Sequence, residues 1–263
     1  MLHRQDGDDV VAITQPAHAW LSGQLARAWG NDRFARPEPW QEVCLGAEQH
    51  DIGWLEWEAA PTLNPKTRLP HVFHELGAEQ HTALWRRGVE LARAYGLYPS
   101  LLVSLHANTI YGNFFDFEKA PPEDAALVRD FLAEQRAFQA GIVSRLRTDP
   151  RHAPHASEDR IEHNRLLVGA VDRMSLDICW GVDEPRKVPD VPATLGERVD
   201  AELRPEGGDP GRLVMNPWPF AADKVELVVE GRRLRGPCTD ERAMREALRQ
   251  APAVTVETIL VPA

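Results

Sequence analysis

The chain has little cysteine, no basic run and no long apolar stretch, and each shortage removes a class of protein. Only three cysteines occur in 263 residues: Cys44, Cys179 and Cys238. They lie far apart, are odd in number and form no Cys-x-x-Cys pair, which argues against a disulfide framework and against a zinc ribbon. Reduced thiols of a cytoplasmic protein are the simplest reading. Lysine and arginine total 30 against 40 acidic residues, for a net charge of −10. No basic cluster marks a nucleic-acid face, so DNA and RNA are not expected partners. An anionic substrate would need local help from metal or arginine. No apolar run approaches the roughly 18 residues of a membrane span, so no membrane partner is expected either. Met1 to Val11 is polar and acidic and lacks the regions of a signal peptide. There is no internal repeat and no low-complexity tract.

What is present reads as an ordinary globular protein, 43% hydrophobic and 27% charged. Val10 to Thr14 is a short β-branched run and a candidate strand. Pro16 suits the first turn of a helix carrying His18, Leu21, Leu25 and Trp29 on one face, with Gly30-Asn31 as its stop. A second helix is expected over Trp40–Asp51. The segment from Gly53 to Gly77 holds three prolines and reads as a long loop of the kind that is often functional. Further helices are expected over Ala78–Tyr95, from Pro99 onward and over Pro121–Arg147. Another runs from an N-cap at Ser157 to Trp180. Residues 182–212, rich in proline and glycine, read as a linker or arm. Val225–Val229 and Arg232–Arg235 around Glu230-Gly231 suggest a hairpin. Asp240–Gln250 reads as a short helix and Val254–Val261 as a final strand. This divides the chain into a helical domain 1–181 with a short N-terminal strand, a linker 182–212, and a small α+β extension 213–263 packed on the helical domain. The fold class expected is mainly α, a helical bundle with that appendage.

The chemistry concentrates in histidine and aspartate. His50-Asp51 stands inside AEQHDIGW, and His18 lies 32 residues before His50. His81 follows Asp51 by 30 residues, His106 follows His81 by 25, and Asp172 sits in LLVGAVDRMSL. Each falls on or at the end of an expected helix beside an apolar stripe. Facing helices that each project one or two such ligands inward are how metal sites are built in helical folds. Imidazole and carboxylate suit zinc, iron or manganese. A carboxylate can bridge two cations, which makes Asp51 the natural bridge. Two cations about 3.5–4 Å apart clamp both oxygens of a phosphoryl transfer.

HDIG at His50–Gly53, with His18 upstream, resembles the HD-domain superfamily of metal-dependent phosphohydrolases. The stretch from His81 to His106, ending LLVSLHANTIYG, looks like the paired-histidine segment of its di-metal members, and VGAVDRMSL looks like the helix bearing their last aspartate. The resemblance covers about Thr14 to Trp180. It implies an HD-type bundle, two divalent transition-metal ions (Fe, Mn or Zn), and the ligand set His18, His50, Asp51, His81, His106 and Asp172. It departs from the pattern at Trp54, directly after HDIG, where many relatives carry lysine. The same ligand order also resembles the mixed-valent di-iron oxygenases of that superfamily. The whole chain is similar, too, to a bacterial family of uncharacterised proteins.

Ordinary roles compete at each position. A histidine on an apolar helix is often a satisfied core residue. His71 and His74 are alternatives to His81, or line an entrance, or are solvated. His152, His155 and His163 read as exposed polar residues. Lys66, Arg68 and Arg173 are candidate substrate-binding cations or plain surface charges. Trp54 and Trp57 read as pocket wall or as core. Asn108 and Tyr111 are candidate partners of the ligands, and Asp177 is not expected to reach a metal. The leading function is hydrolysis of a small phosphorylated metabolite or nucleotide, with Asp51 at the metal and a metal-bound hydroxide attacking phosphorus. A di-iron oxygenase and a catalytically weak binding or sensory module stay open beside it. The partner expected is a small anionic molecule, and the oligomeric state is open, a homodimer included.

Overall fold

The computed structural model describes residues 1–263, apart from the side chain of Pro210. The chain opens with strands β1 (Leu2–Asp6) and β2 (Asp9–Ile13) and continues through helices α1 (Gln15–Ala28), α2 (Trp40–Glu48), α3 (Leu55–Glu58) and α4 (Ala78–Ala92). Next come α5 (Leu97–Phe114), α6 (Pro122–Thr148) and α7 (Glu158–Trp180). Strands β3 (Arg186–Pro192), β4 (Arg198–Glu206), β5 (Asp209–Asn216) and β6 (Val225–Leu234) follow, then α8 (Glu241–Gln250) and β7 (Ala253–Pro262).

Local chemistry sets the helix starts. Thr14 accepts the Ala17 N–H at 3.1 Å and Pro16 sits in the first turn of α1. Ser157 accepts from the Arg160 N–H at 3.3 Å, and Asp240 accepts from the Ala243 N–H at 2.8 Å. Each oxygen satisfies an N–H that the first helical turn leaves without a partner.

The fold class is α+β, which corrects the expectation of a mainly α bundle with a small appendage. All seven strands form one mixed sheet in the order β1-β2-β6-β7-β5-β4-β3. β5 and β7 are parallel and every other neighbouring pair is antiparallel. α7 packs against both β1 and β3, the two opposite edges, so the sheet curls around that helix as a half-barrel. Arg4 on β1 ties the two together, donating from Nη1 to the Ile178 carbonyl at 2.8 Å. A single apolar cluster takes residues from Leu2 to Leu260, with Leu21 and Leu25 of α1 and Leu167 and Val171 of α7 among them.

Two misreadings explain the difference. Residues 182–212, expected as an arm, carry β3 and β4. β3 is an edge strand, where a missing N–H costs no ladder bond, so its prolines are tolerated. Its register shifts between Val188 and Val191, with Asp190 at φ 55°, a bulge that absorbs the extra residue. The expected hairpin is one continuous strand, β6. Gly231 makes no turn there; it permits a close approach. A Cβ on it would lie 2.5 Å from Val11 Cγ1 and 2.9 Å from Ile13 Cγ1 on β2. No helix is long and apolar enough to cross a membrane.

Candidate metal centre

Four elements converge where α1 and α7 rise from the sheet. α1 brings His18, the turn after α2 brings His50 and Asp51, α5 brings His106, and α7 brings Asp172; all five side chains are buried. Their donor atoms form two overlapping groups, His18–His50–Asp51 and His50–His106–Asp172, each with its atoms within 4.8 Å of one another.

Hydrogen bonds fix the direction of two imidazoles. Ala47 is near the end of α2, where helix carbonyls lose their intrahelical partners. His50 Nδ1 lies 2.8 Å from that carbonyl oxygen, which can only accept, so Nδ1 carries the proton. Ser175 Oγ lies 2.8 Å from the Asp172 carbonyl and must donate to it. It therefore accepts from His18 Nδ1, also at 2.8 Å. Ser22, one turn after His18, reaches Ser175 Oγ at 2.8 Å and completes the support. Both rings thus turn Nε2 inward, an arrangement that outer-shell partners commonly impose on metal-binding histidines.

The inward atoms face carboxylates. His18 Nε2 is 2.9 Å from Asp51 Oδ2, and a nitrogen lone pair so close to a carboxylate needs a proton or a cation between them. His50 Nε2 lies 3.3 Å from Asp172 Oδ1 and 3.6 Å from Asp51 Oδ2, yet meets the geometry of a hydrogen bond with neither. His106 Nε2 is 3.5 Å from Asp172 Oδ2. Gln15 Nε2 donates to Asp51 Oδ2 at 3.1 Å, and the Gln15 backbone N–H donates to Glu58 at 2.8 Å.

Electrostatics separates the members. Burial opposes charge on His50, but the Asp51 and Asp172 carboxylates outweigh it and raise the imidazole to about 9. Burial lowers His106 to about 4, with Asp172 opposing. Burial alone would raise both aspartates, yet the histidines hold each below the ordinary carboxylate range. The two carboxylates thus favour the charged form of His50 that lies between them.

The sixth residue expected as a ligand stands apart. His81, in the first turn of α4, belongs to neither donor group among the described residues. Its Nδ1 lies 2.7 Å from the Tyr111 hydroxyl, and its ring meets Trp54, Trp85 and Tyr111. It lines a small chamber of ≈ 30 Å³ over the carboxylates, with Gln15, Asp51, Trp85, His106 and Asp172. That chamber shares His81, His106 and Asp172 with an open groove of ≈ 1130 Å³.

Three arginines line the groove. Arg173 is paired with Asp177 at 2.8 Å, Arg165 with Glu162 at 2.7 Å, and Arg198 with Asp190 at 3.3 Å. Arg198 and Asp190 come from β4 and β3, so the stretch read as an arm supplies one wall. Lys66 is exposed and does not line the groove; Arg68 donates from Nε to the Cys238 carbonyl at 3.0 Å. His74 lines the groove, whereas His71 bonds Thr62. His152 pairs with Asp149, and Asn108 turns to Gln139. Gln15, Ser22 and Ser175 are absent from the sequence-based set. Helical spacing was their only signal: Gln15 precedes His18 by one turn, Ser22 follows it by one, and Ser175 follows Asp172 by one.

Residues 1–236 match the family model described as Protein of unknown function (DUF3891). No curated protein and no solved structure matches the chain. The family match and the curled α+β sheet overturn the resemblance to the HD-domain superfamily. A His-Asp pair with spaced histidines is a statement about donor chemistry, and donor chemistry recurs on unrelated folds.

Proposed function

This chain belongs to the DUF3891 family, and from its buried donor cluster we propose that it is a metal-dependent hydrolase of a small anionic ester, a phosphoric ester first among them. The observation that carries the reading is the paired wiring of His18 and His50, whose Nδ1 protons are spent on oxygen acceptors so that both Nε2 atoms turn onto Asp51 and Asp172. Three imidazoles and two carboxylates suit zinc, manganese or iron(II). One nitrogen lone pair binds one ion. Because both donor groups share His50, one ion at a time takes that imidazole, held by one group or the other.

A divalent transition-metal ion held there would acidify a bound water and polarise a substrate oxygen. The chain's own residues do the rest. Gln15 holds Asp51 by its Oδ2 oxygen and so fixes the orientation of that carboxylate. Trp54, Trp85 and Ile110 line the chamber, restrict bulk water and so strengthen the local electrostatics. The three groove arginines, each already paired with an acid, offer guanidinium N–H donors that an anionic ligand could share.

Elemental analysis of protein purified without chelator or affinity-tag metal tests the reading, alongside Asp51→Ala. About one equivalent of transition metal per chain is expected, lost in the variant, with hydrolysis of phosphomonoesters or nucleotides that is lost with it. A well-folded wild type that takes up no metal after reconstitution removes the reading. Iron alone, with oxygen consumption and no hydrolysis, moves the chemistry to oxidation.

A further inference from the structure

The Tyr111–His81 pair is wired in the opposite sense to His18 and His50. Tyr111 is 3% exposed, and its only partner among the described residues is His81 Nδ1 at 2.7 Å. A buried phenol O–H seeks an acceptor, and here the imidazole lone pair is the one in reach. Burial pushes the Tyr111 hydroxyl up, so it keeps its proton. Burial also lowers His81 to about 4 against the pull of Asp51, so the ring is neutral. A neutral imidazole that accepts at Nδ1 carries its proton on Nε2. Nε2 has no protein partner among the described residues, and His81 is partly exposed and lines the groove. Three rings pack around it, Trp54 at 5.5 Å, Trp85 at 6.2 Å and Tyr111 at 5.4 Å between centroids, and favour this orientation.

We infer that His81 is no metal ligand but a fixed hydrogen-bond donor, its Nε2–H set by Tyr111 to grip an oxygen of an anionic ligand between the chamber and the groove. A metal needs a lone pair at Nε2, and a Tyr111 hydroxyl that donates to Nδ1 keeps a proton there. The donor stands at the junction of the two cavities, where a ligand anchored over the carboxylates would emerge toward the arginines. The inference rests on the proposal that an anionic ligand occupies this site, and it narrows the recognised group to one presenting an oxyanion such as phosphate.

Long-range proton–nitrogen NMR of protein labelled with 15N-histidine reads the tautomers directly. Wild type and Tyr111→Phe are compared, zinc(II) is added, and inorganic phosphate is then titrated in. His81 is expected as the Nε2–H tautomer, with that preference lost in Tyr111→Phe. Zinc should leave His81 Nε2 protonated, and phosphate should shift its resonance. His81→Ala should retain wild-type metal content and raise the Kd for phosphate about tenfold, the loss of one charge-assisted hydrogen bond. His81→Gln, which keeps an N–H donor, should recover part of that loss. A metal-bound shift at His81 Nε2, an Nδ1–H tautomer, or indifference to phosphate overturns the assignment. Should zinc not bind at all, the metal reading of the cluster falls, and the tautomer and the phosphate shift still decide His81.

Discussion

Metal uptake at the proposed site would compete with a proton on His50. Asp51 and Asp172 hold that imidazole at about 9, so Nε2 is protonated at neutral pH and must lose its proton to bind a metal. Both aspartates are held below the ordinary range and stay ionised throughout. The sign follows: affinity falls as pH drops below 9, by about tenfold per unit while a single proton is displaced. Zinc titration calorimetry between pH 6 and 8, in buffers of different ionisation enthalpy, should show at least the His50 proton released on metal binding. An affinity flat over that range would place the metal elsewhere. Residue types alone could not supply this behaviour, because it depends on which carboxylates share the cavity with His50.

At the scale of elements, the turn after α2 decides where His50 and Asp51 sit. Gly53 lies against α4 so closely that an added Cβ would strike the Leu84 carbonyl oxygen and stand 2.7 Å from the Gly88 nitrogen. Both contacts are backbone atoms of a helix, which cannot rotate aside. Gly53→Ala should therefore cost about 2–3 kcal/mol by overpacking and lower Tm by roughly 4–12 °C, read by thermal denaturation. Metal content should fall with it, since the displaced turn carries two of the proposed ligands. Gly88→Ala is the control: its Cβ would meet Gly53 nitrogen at 3.2 Å, a smaller intrusion, and should cost less. Equal tolerance of both substitutions would show that the turn is not clamped by α4.

For the whole molecule, the sheet matters more than its position in the chain suggests. β7 lies in the middle of the strand order, paired with β6 on one side and β5 on the other, although it is the last element in sequence. The matched family region ends at residue 236, before β7 begins. A protein ending at 236 would split the sheet and expose two unpaired strand edges, a known route to aggregation. It should be insoluble or lack a cooperative thermal transition, by solubility assay and circular dichroism. A soluble fragment with full metal content would show that β7 is dispensable to the cluster. β3 and β4 likewise place Asp190 and Arg198 on the groove wall, a role that their proline and glycine content concealed.

Sequence alone determined the helices and most of the donor set. Apolar periodicity, the first-turn Pro16 and the cap at Ser157 are local signals within one or two turns, and the helices read from sequence match α1, α4, α6, α7 and α8 to within a few residues. Five of the six residues named as ligands, His18, His50, Asp51, His106 and Asp172, meet in space because each lies on a buried helix face or at a helix end. Sequence could not place the sheet: strand pairing joins Val10 to Leu234 and Leu213 to Leu260, and no local pattern encodes such distant partners. It also could not set His81 apart from the donor groups, because its contact with Tyr111, thirty residues away, is made only in the folded chain.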